Sequence, residues 1–119
     1  MNKQLEKQLS KTLECCLETK SATQICLIQA THAEDLNITK NCIHSCMEVI
    51  EVCDLTIHFI TSKSPNIKHC IDLTGQVVLG CIKICKCLEK SHSYGPVEVN
   101  CVKACKKLLT SLVQLKKNI

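Results

Sequence analysis

Hydrophobic and small residues recur along this chain with the spacing of an α-helix. In the first third of the sequence they fall at Leu5, Leu9, Cys16, Thr23, Leu27 and Ala30, and in the last third at Cys101, Cys105, Leu108, Leu112 and Leu115. Because a helix turns once every 3.6 residues, such positions form a single stripe along one face. The period of two that is typical of β-strands is not indicated.

Two prolines and one softer break divide the chain into four predicted helices. Ser64-Pro65 and Gly95-Pro96 each have the form of an N-cap followed by a first-turn proline. Between Thr31 and Thr39 the periodicity is lost, and Asp35 or Asn37 is placed to cap the next helix. The predicted helices span about residues 2–33, 38–62, 65–91 and 96–117.

Four helices joined by short loops pack most simply as an up-and-down antiparallel four-helix bundle, which is an all-α fold. A chain of 119 residues suffices for one such domain over residues 1–119, but not for a core plus a separate catalytic module. Gly75 and Gly80 fall inside the third helix, where each costs about 1 kcal/mol relative to alanine. Their missing side chains would allow a neighbouring helix to approach closely.

Cysteine changes this picture most, because the chain contains twelve cysteines but only one Phe, one Tyr and no Trp. Thiols and aliphatic side chains must therefore build the core together. All 15 basic residues are lysine, and the net charge is +4. Without arginine or aromatic residues to contact phosphates and bases, nucleic acid is not an expected partner.

The role of so many cysteines depends on whether the protein resides in an oxidising or a reducing compartment. The first 14 residues are charged throughout and contain no secretory signal, and no 18-residue apolar run follows, so we expect a cytoplasmic protein without a membrane segment. In a reducing cytosol, many cysteines more often bind metal than form disulfides. No spacing distinguishes a catalytic triad or a privileged nucleophile, so an enzyme is not expected.

Helical geometry predicts that the thiols line the inside of the bundle. Cys42, Cys46 and Cys53 share a stripe about 40° wide with apolar residues. On the third helix, a second stripe about 80° wide is predicted to hold Cys70, Cys81, Cys85 and Cys87. At 1.5 Å per residue, one cysteine from each helix would lie about 6 Å from one end: Cys26, Cys42, Cys87 and Cys101. Next would come Cys46, Cys85 and Cys105 at about 9 to 12 Å and Cys81 at about 15 Å. Cys15, Cys16 and Cys53 would follow at about 22 Å, and Cys70 at about 30 Å. The other end would be closed by aliphatic side chains.

Spacing and charge together favour a soft monovalent metal. Three pairs are four residues apart on one helix face: Cys42 with Cys46, Cys81 with Cys85, and Cys101 with Cys105. The chain lacks the C-x-x-C spacing on which tetrahedral zinc and iron–sulfur sites usually rely. Zn²⁺ held by four thiolates leaves two negative charges in the core, whereas Cu(I) replaces the thiol proton and leaves it neutral. About 12 Cu(I) ions is the upper estimate for twelve bridging thiolates.

The segments CIHSC, CIKICKC and CVKAC on amphipathic helices resemble those of the bacterial four-helix-bundle copper storage proteins, over essentially the whole chain. The resemblance implies a cytosolic Cu(I) store or buffer that holds many ions and associates as a homotetramer. It also implies a neutral ligand at the cysteine-rich mouth, for which His92 and His32 are the candidates. The aliphatic second half of the fourth helix departs from the pattern and argues against a core filled along its whole length.

Several plainer interpretations stay open from the residues alone. Cys70 and Cys15 also fit small core hydrophobes. The C-x9-C spacing of Cys16 and Cys26 suits a disulfide-stapled helical interaction protein, and a zinc-binding regulator is a third alternative. Off the cysteine stripes, His44, His58 and Met47 are predicted at the surface, His69 is borderline, and Ile43, Ile71 and Ile82 are offered as outward contacts between subunits.

Overall fold

Four antiparallel helices form the fold in the computed structural model, which describes residues 3–88 and 95–119. They are α1 (Lys3–Thr31), α2 (Leu36–Thr61), α3 (Ile67–Cys87) and α4 (Pro96–Lys117). α1 packs against α2 and α4, and α3 packs against the same two helices, in a rod of 52 × 18 × 18 Å. The described residues contain no strand, so the predicted all-α bundle is confirmed.

Local hydrogen bonds fix where α2 and α4 begin. Asp35 is the N-cap of α2, and its carboxylate accepts the backbone N–H of Asn37 at 2.9 Å. Gly95 is the N-cap of α4 with Pro96 behind it, and the Glu98 carboxylate accepts the Gly95 N–H at 3.0 Å. Each bond satisfies a backbone donor that the helix itself cannot pair. The predicted bounds of α4 are confirmed.

The start of α3 differs from the prediction. Its N-cap is Asn66 and the helix begins at Ile67, two residues after the predicted Pro65. The Ser64 hydroxyl accepts the Asn66 N–H at 3.1 Å, which closes a turn before the helix, and Lys63 precedes it with a φ of 55°. Ser64 therefore caps this turn instead of the helix. The predicted end of the helix near residue 91 lies outside the described residues.

The core is polarised along the axis, as the sequence predicts. Ile60, Leu112 and Leu115 are buried at the end far from the cysteine-rich mouth, and half-buried aliphatic residues surround them: Leu5, Leu9, Ile57 and Ile67. The glycines are not needed for this packing. A Cβ on Gly75 would make an ordinary 4.0 Å contact, and a Cβ on Gly80 would meet nothing within 4 Å, so the prediction of a close helix approach there was wrong.

The predicted outward isoleucines are not at the surface. Ile71 and Ile82 are buried and Ile43 is half-buried, because these side chains flank the cysteine stripes and pack at the seams between helices. The exposed apolar side chains are others, among them Leu17, Ile25 and Ile28 on α1. Within residues 3–88 and 95–119, none of the helices combines the length and the apolar character that crossing a membrane requires.

Candidate metal centre

Eleven of the twelve cysteines are buried, and all twelve are free thiols. The buried sulfurs come from all four helices: Cys15, Cys16 and Cys26 of α1, Cys42, Cys46 and Cys53 of α2, Cys70, Cys81 and Cys85 of α3, and Cys101 and Cys105 of α4. The prediction that thiols line the inside of the bundle is confirmed for ten of these eleven, and Cys15 is the exception. The ten fall into two groups at different depths.

The larger group, here called the mouth cluster, contains seven thiols near the ends that the α1–α2 and α3–α4 connections join: Cys26, Cys42, Cys46, Cys81, Cys85, Cys101 and Cys105. The Cys42 sulfur lies 3.8 Å from that of Cys26 and 3.9 Å from that of Cys46. Three triplets have all their sulfurs within 4.8 Å of one another: Cys26, Cys42 and Cys85; Cys26, Cys46 and Cys101; and Cys81, Cys85 and Cys101. Metal ions placed among them would share thiolates.

Cys101 connects the mouth cluster. Hydrogen bonding with Cys101 is the largest influence on the pKa of five neighbours. It lowers the pKa of Cys26 and Cys81, which accept hydrogen bonds in their charged form. It raises the pKa of Cys46, Cys85 and Cys105, and burial raises it further. Cys101 therefore shares hydrogen bonds with sulfurs from all four helices.

A smaller group lies deeper, where the thiols of Cys16 and Cys53 share a hydrogen bond across the α1–α2 interface. That hydrogen bond and burial raise the pKa of Cys16, so this side chain is a thiol in the metal-free protein. Cys70 lies beside them but is surrounded by hydroxyls, with Thr56 Oγ1 at 3.4 Å and Thr74 Oγ1 at 3.9 Å.

Cys15 points away from the axis of the bundle, although it is the immediate neighbour of Cys16 in α1. One residue is 100° of rotation, which turns Cys15 toward α4 and a hydrogen bond with Ser111. Burial raises its pKa, and the neighbouring Glu18 carboxylate raises it further. Cys15 is therefore buried at the α1–α4 seam and does not face the other sulfurs.

Cys87 is exposed, and its predicted place in the mouth layer was wrong. Cys87 follows Cys85 by two residues, which is a rotation of 200°, so both cannot face the axis. Cys85 occupies the position instead, in contact with Cys26 and Cys42. The other three predicted members of that layer are confirmed.

Of the two candidate histidine ligands, the structure describes His32 but not His92. His32 is exposed just beyond the end of α1, and its Nδ1 lies 2.8 Å from the carbonyl oxygen of Ile28. Since a carbonyl can only accept, Nδ1 carries the hydrogen and Nε2 keeps a free lone pair in the neutral ring. His92 lies outside the described residues. His44, His58 and Met47 are exposed, as predicted, and so is His69.

Nine polar side chains of the described residues are buried: Thr12, Thr19, Thr23, Thr39, Ser45, Thr56, Thr74, Ser111 and Glu98. The sequence placed Thr23 on the core stripe of the first helix, and the burial of the other eight was missed. In α1 the signal was available, since Thr12, Thr19 and Thr23 repeat at seven and four residues, on the same stripe as the cysteines. Glu98 could have been found as the third residue after the N-cap Gly95, where a glutamate commonly accepts the N-cap amide.

The electrostatics of the core are unusual for a thiolate site. Among the described residues, the only buried charged side chain is that of Glu98, and no buried lysine or histidine accompanies the thiols. Nothing inside this part of the bundle could balance extra negative charge. A monovalent metal ion therefore suits such a core better than a divalent ion held by four thiolates, which would leave two negative charges uncompensated.

Comparisons with known proteins give one finding. The sequence model of a protein family described as "Csp: Copper storage protein" matches residues 1–115 of the chain. Neither the search of curated proteins nor that of solved structures found a match.

Proposed function

Because the chain belongs to the copper storage protein family, we propose that it stores several Cu(I) ions as one metal-binding domain, with the core cysteines as ligands. The single observation that carries this proposal is the mouth cluster, in which sulfurs from four helices lie within bridging distance of one another. Soft thiolates select Cu(I), and a monovalent ion keeps the core neutral.

The charge of the core separates copper from zinc. A tetrahedral Zn²⁺ bound by four thiolates carries two net negative charges, and the described core offers no buried cation to offset them. Each Cu(I) that displaces one thiol proton adds no charge at all. This difference supports a copper store over a zinc-binding regulator.

The free thiols separate storage from a disulfide framework. Cys16 and Cys26 both lie in α1, about 15 Å apart along the helix, so they cannot bridge each other. A core of unoxidised thiols fits a reducing compartment, and we place the protein in the cytoplasm. There it would buffer copper and catalyse no reaction.

His32 is our candidate for the first ligand that meets incoming copper. It lies at the mouth, and its Nδ1 forms a hydrogen bond with the Ile28 carbonyl oxygen, which leaves Nε2 free for a metal ion. Histidines that bind metal commonly use their other ring nitrogen for such a hydrogen bond. His92 is retained as the other candidate. We also propose a homotetramer, in which exposed apolar side chains of α1 such as Leu17, Ile25 and Ile28 form contacts between subunits.

Anaerobic titration of the reduced protein with Cu(I), in competition with a chromogenic chelator, tests the storage function. We expect many equivalents to bind while the helical circular dichroism stays nearly constant, because the thiols are already gathered. Saturation at one or two equivalents would overturn the proposal. Native mass spectrometry that finds one to three tightly held zinc ions would favour the regulator instead.

A further inference from the structure

The register between α2 and α3 places Val49 and Val78 side by side on the bundle axis. Cys46 of α2 contacts Cys81 of α3. In an antiparallel pair, each step forward along one helix matches a step back along the other. Val49 follows Cys46 by three residues and Val78 precedes Cys81 by three. The two valines therefore lie at one level, about one turn deeper than the two thiols.

Leu108 and Thr19 complete this level from the other two helices. Cys105 of α4 contacts Cys81, and Leu108 follows Cys105 by three residues. The Thr19 hydroxyl donates to the carbonyl oxygen of Ala104 at 3.1 Å, which ties α1 to α4 nearby. All four side chains are 0% exposed. We call this set the sulfur-free layer: Thr19, Val49, Val78 and Leu108.

Cys16 and Cys53 form a separate pair below the sulfur-free layer. Cys53 follows Cys46 by seven residues, which is about 10 Å along α2. The electrostatic neighbours of Cys16 are Cys53, Cys15 and Cys70, and none of these belongs to the mouth cluster. With metal–sulfur bonds of about 2.3 Å, an ion held between Cys16 and Cys53 could not also bind Cys46.

The hydroxyls of Thr56 and Thr74 hold the Cys70 sulfur in a hydrogen-bond network. Thr56 Oγ1 lies 2.7 Å from the carbonyl oxygen of Val52, to which it must donate its only hydrogen. Its lone pairs then accept from the Thr74 hydroxyl at 2.9 Å and from the Cys70 S–H at 3.4 Å. The Cys70 sulfur is thus engaged by hydroxyls, whereas the thiols of Cys16 and Cys53 bond to each other. Two sulfurs are left for a metal at this depth.

We propose that Cys16 and Cys53 form a second, separate Cu(I) site, which holds one ion between two thiolates and exchanges it slowly because the sulfur-free layer blocks the path to the mouth cluster. On binding, the two thiol protons leave and two S–Cu bonds form, with no change of oxidation state, so the pair gains one net negative charge, half of what four thiolates around Zn²⁺ would leave. This inference rests on the proposed storage function.

Chelator-driven removal of copper from the fully loaded, reduced protein tests the second site. Removal from the wild type should show a fast phase of several ions and a slow phase of one ion. The slow phase should be at least about tenfold slower, because copper must pass a close-packed layer that opens only by local fluctuation. A single phase from protein that binds many ions would overturn the second site and leave the storage function intact. Failure to bind several ions would overturn the storage function itself.

Single substitutions assign the slow phase to its residues. Cys16→Ala and Cys53→Ala should each abolish it and leave the fast phase unchanged. Cys70→Ala should retain it, and so should Cys87→Ser at the exposed thiol. Loss of the slow phase in Cys70→Ala would overturn the assignment to two sulfurs. Circular dichroism of each variant establishes that the bundle has formed.

Val78→Cys tests the layer without removing any ligand. A thiol at this level would link the two groups of sulfurs, so the slow ion should leave at the rate of the others. Val77→Cys is the matched control, since the neighbouring valine lies 100° further round α3 and is only half-buried. A slow phase that persists in Val78→Cys, or that disappears equally in Val77→Cys, would contradict the role of the layer.

Discussion

The sulfur of Cys26 on α1 lies 3.8 Å from the sulfur of Cys42 on α2. These thiols join two helices that are consecutive in the sequence, immediately below the connection between them. A disulfide needs a separation of about 2.05 Å, so a small movement of either side chain would close the bond. The contact that suits copper is thus also the most direct route to oxidation.

Mild oxidation of the metal-free protein should therefore produce a Cys26–Cys42 disulfide. We expect peptide mapping by mass spectrometry to recover this pair first and to find no Cys16–Cys26 pair, because those residues are about 15 Å apart along α1. Copper-loaded protein should resist the same treatment. A mapped Cys16–Cys26 bridge would contradict the packing of α1 in the bundle.

Cys101→Ser should lower the copper capacity more than any change at the surface. Because Cys101 contacts five sulfurs of the mouth cluster, its loss should remove about two to three bridged ions. Cys87→Ser removes an exposed thiol and should cost less than about one ion. Anaerobic Cu(I) titration of both variants measures the difference, and equal losses would show that Cys101 is not the centre of the cluster.

Leu108→Ala should destabilise the metal-free bundle by about 3 kcal/mol, since it opens a cavity at a fully buried position in the sulfur-free layer. Urea unfolding followed by circular dichroism gives the free energy of unfolding. Leu17→Ala is the control, because that side chain is 58% exposed and should change stability by less than about 0.5 kcal/mol.

Gly80→Ala should stabilise the protein by about 0.5 to 1 kcal/mol. Gly80 lies inside α3, where alanine restricts the unfolded chain and favours the helix, and a Cβ there would meet no atom within 4 Å. The same unfolding measurement applies. A loss of stability would mean that another helix or subunit occupies the space beside Gly80.

Alkaline pH should weaken the metal-free protein partly through Cys16. The hydrogen bond with Cys53, together with burial, raises the pKa of Cys16 above its ordinary value of 9.0. Above that pH the unfolded thiol loses its proton while the folded thiol keeps it, so the folded state binds more protons and its advantage declines as pH rises. The stabilising contribution is complete below pH 9.0.

Cys16→Ala should accordingly show a shallower loss of the free energy of unfolding above pH 9.0 than the wild type. The difference should reach at most about 1.4 kcal/mol per pH unit, the value for one proton. Urea unfolding at a series of pH values measures it, with Leu17→Ala as a substitution that removes no titratable group. Parallel curves for the wild type and Cys16→Ala would contradict the raised pKa.

Helical periodicity predicted most of the site because its stripes and the core coincide. The four helices, the end of the bundle that carries the sulfurs and three of the four mouth-layer cysteines follow from 100° of rotation per residue. Cys87 was placed incorrectly because it was assigned to the same stripe as Cys85, although the two residues are 200° apart around the helix. Ile71 and Ile82 were predicted to face outward but are buried. The width of a buried face depends on the neighbouring helices, which periodicity alone does not specify.

The hydrogen bonds among the buried hydroxyls could not be predicted from the sequence, for a different reason. Threonine is common at surfaces, and only the packed bundle shows that Thr56 and Thr74 bond to each other and surround Cys70. The depth estimate from the sequence did separate Cys16 and Cys53 from the cysteines nearer the mouth. It did not predict that Val49 and Val78 share the level between them, because that register depends on how α2 packs against α3.

The scarcity of buried cations among the described residues has a consequence for when such a store would empty. Each ion held by neutral exchange occupies the place of hydrogen, so copper and acid compete for the same sulfurs. A fall in the pH of the surroundings would therefore discharge the metal without any change in the fold. The bundle would then act as a reservoir whose content follows acidity as well as copper supply.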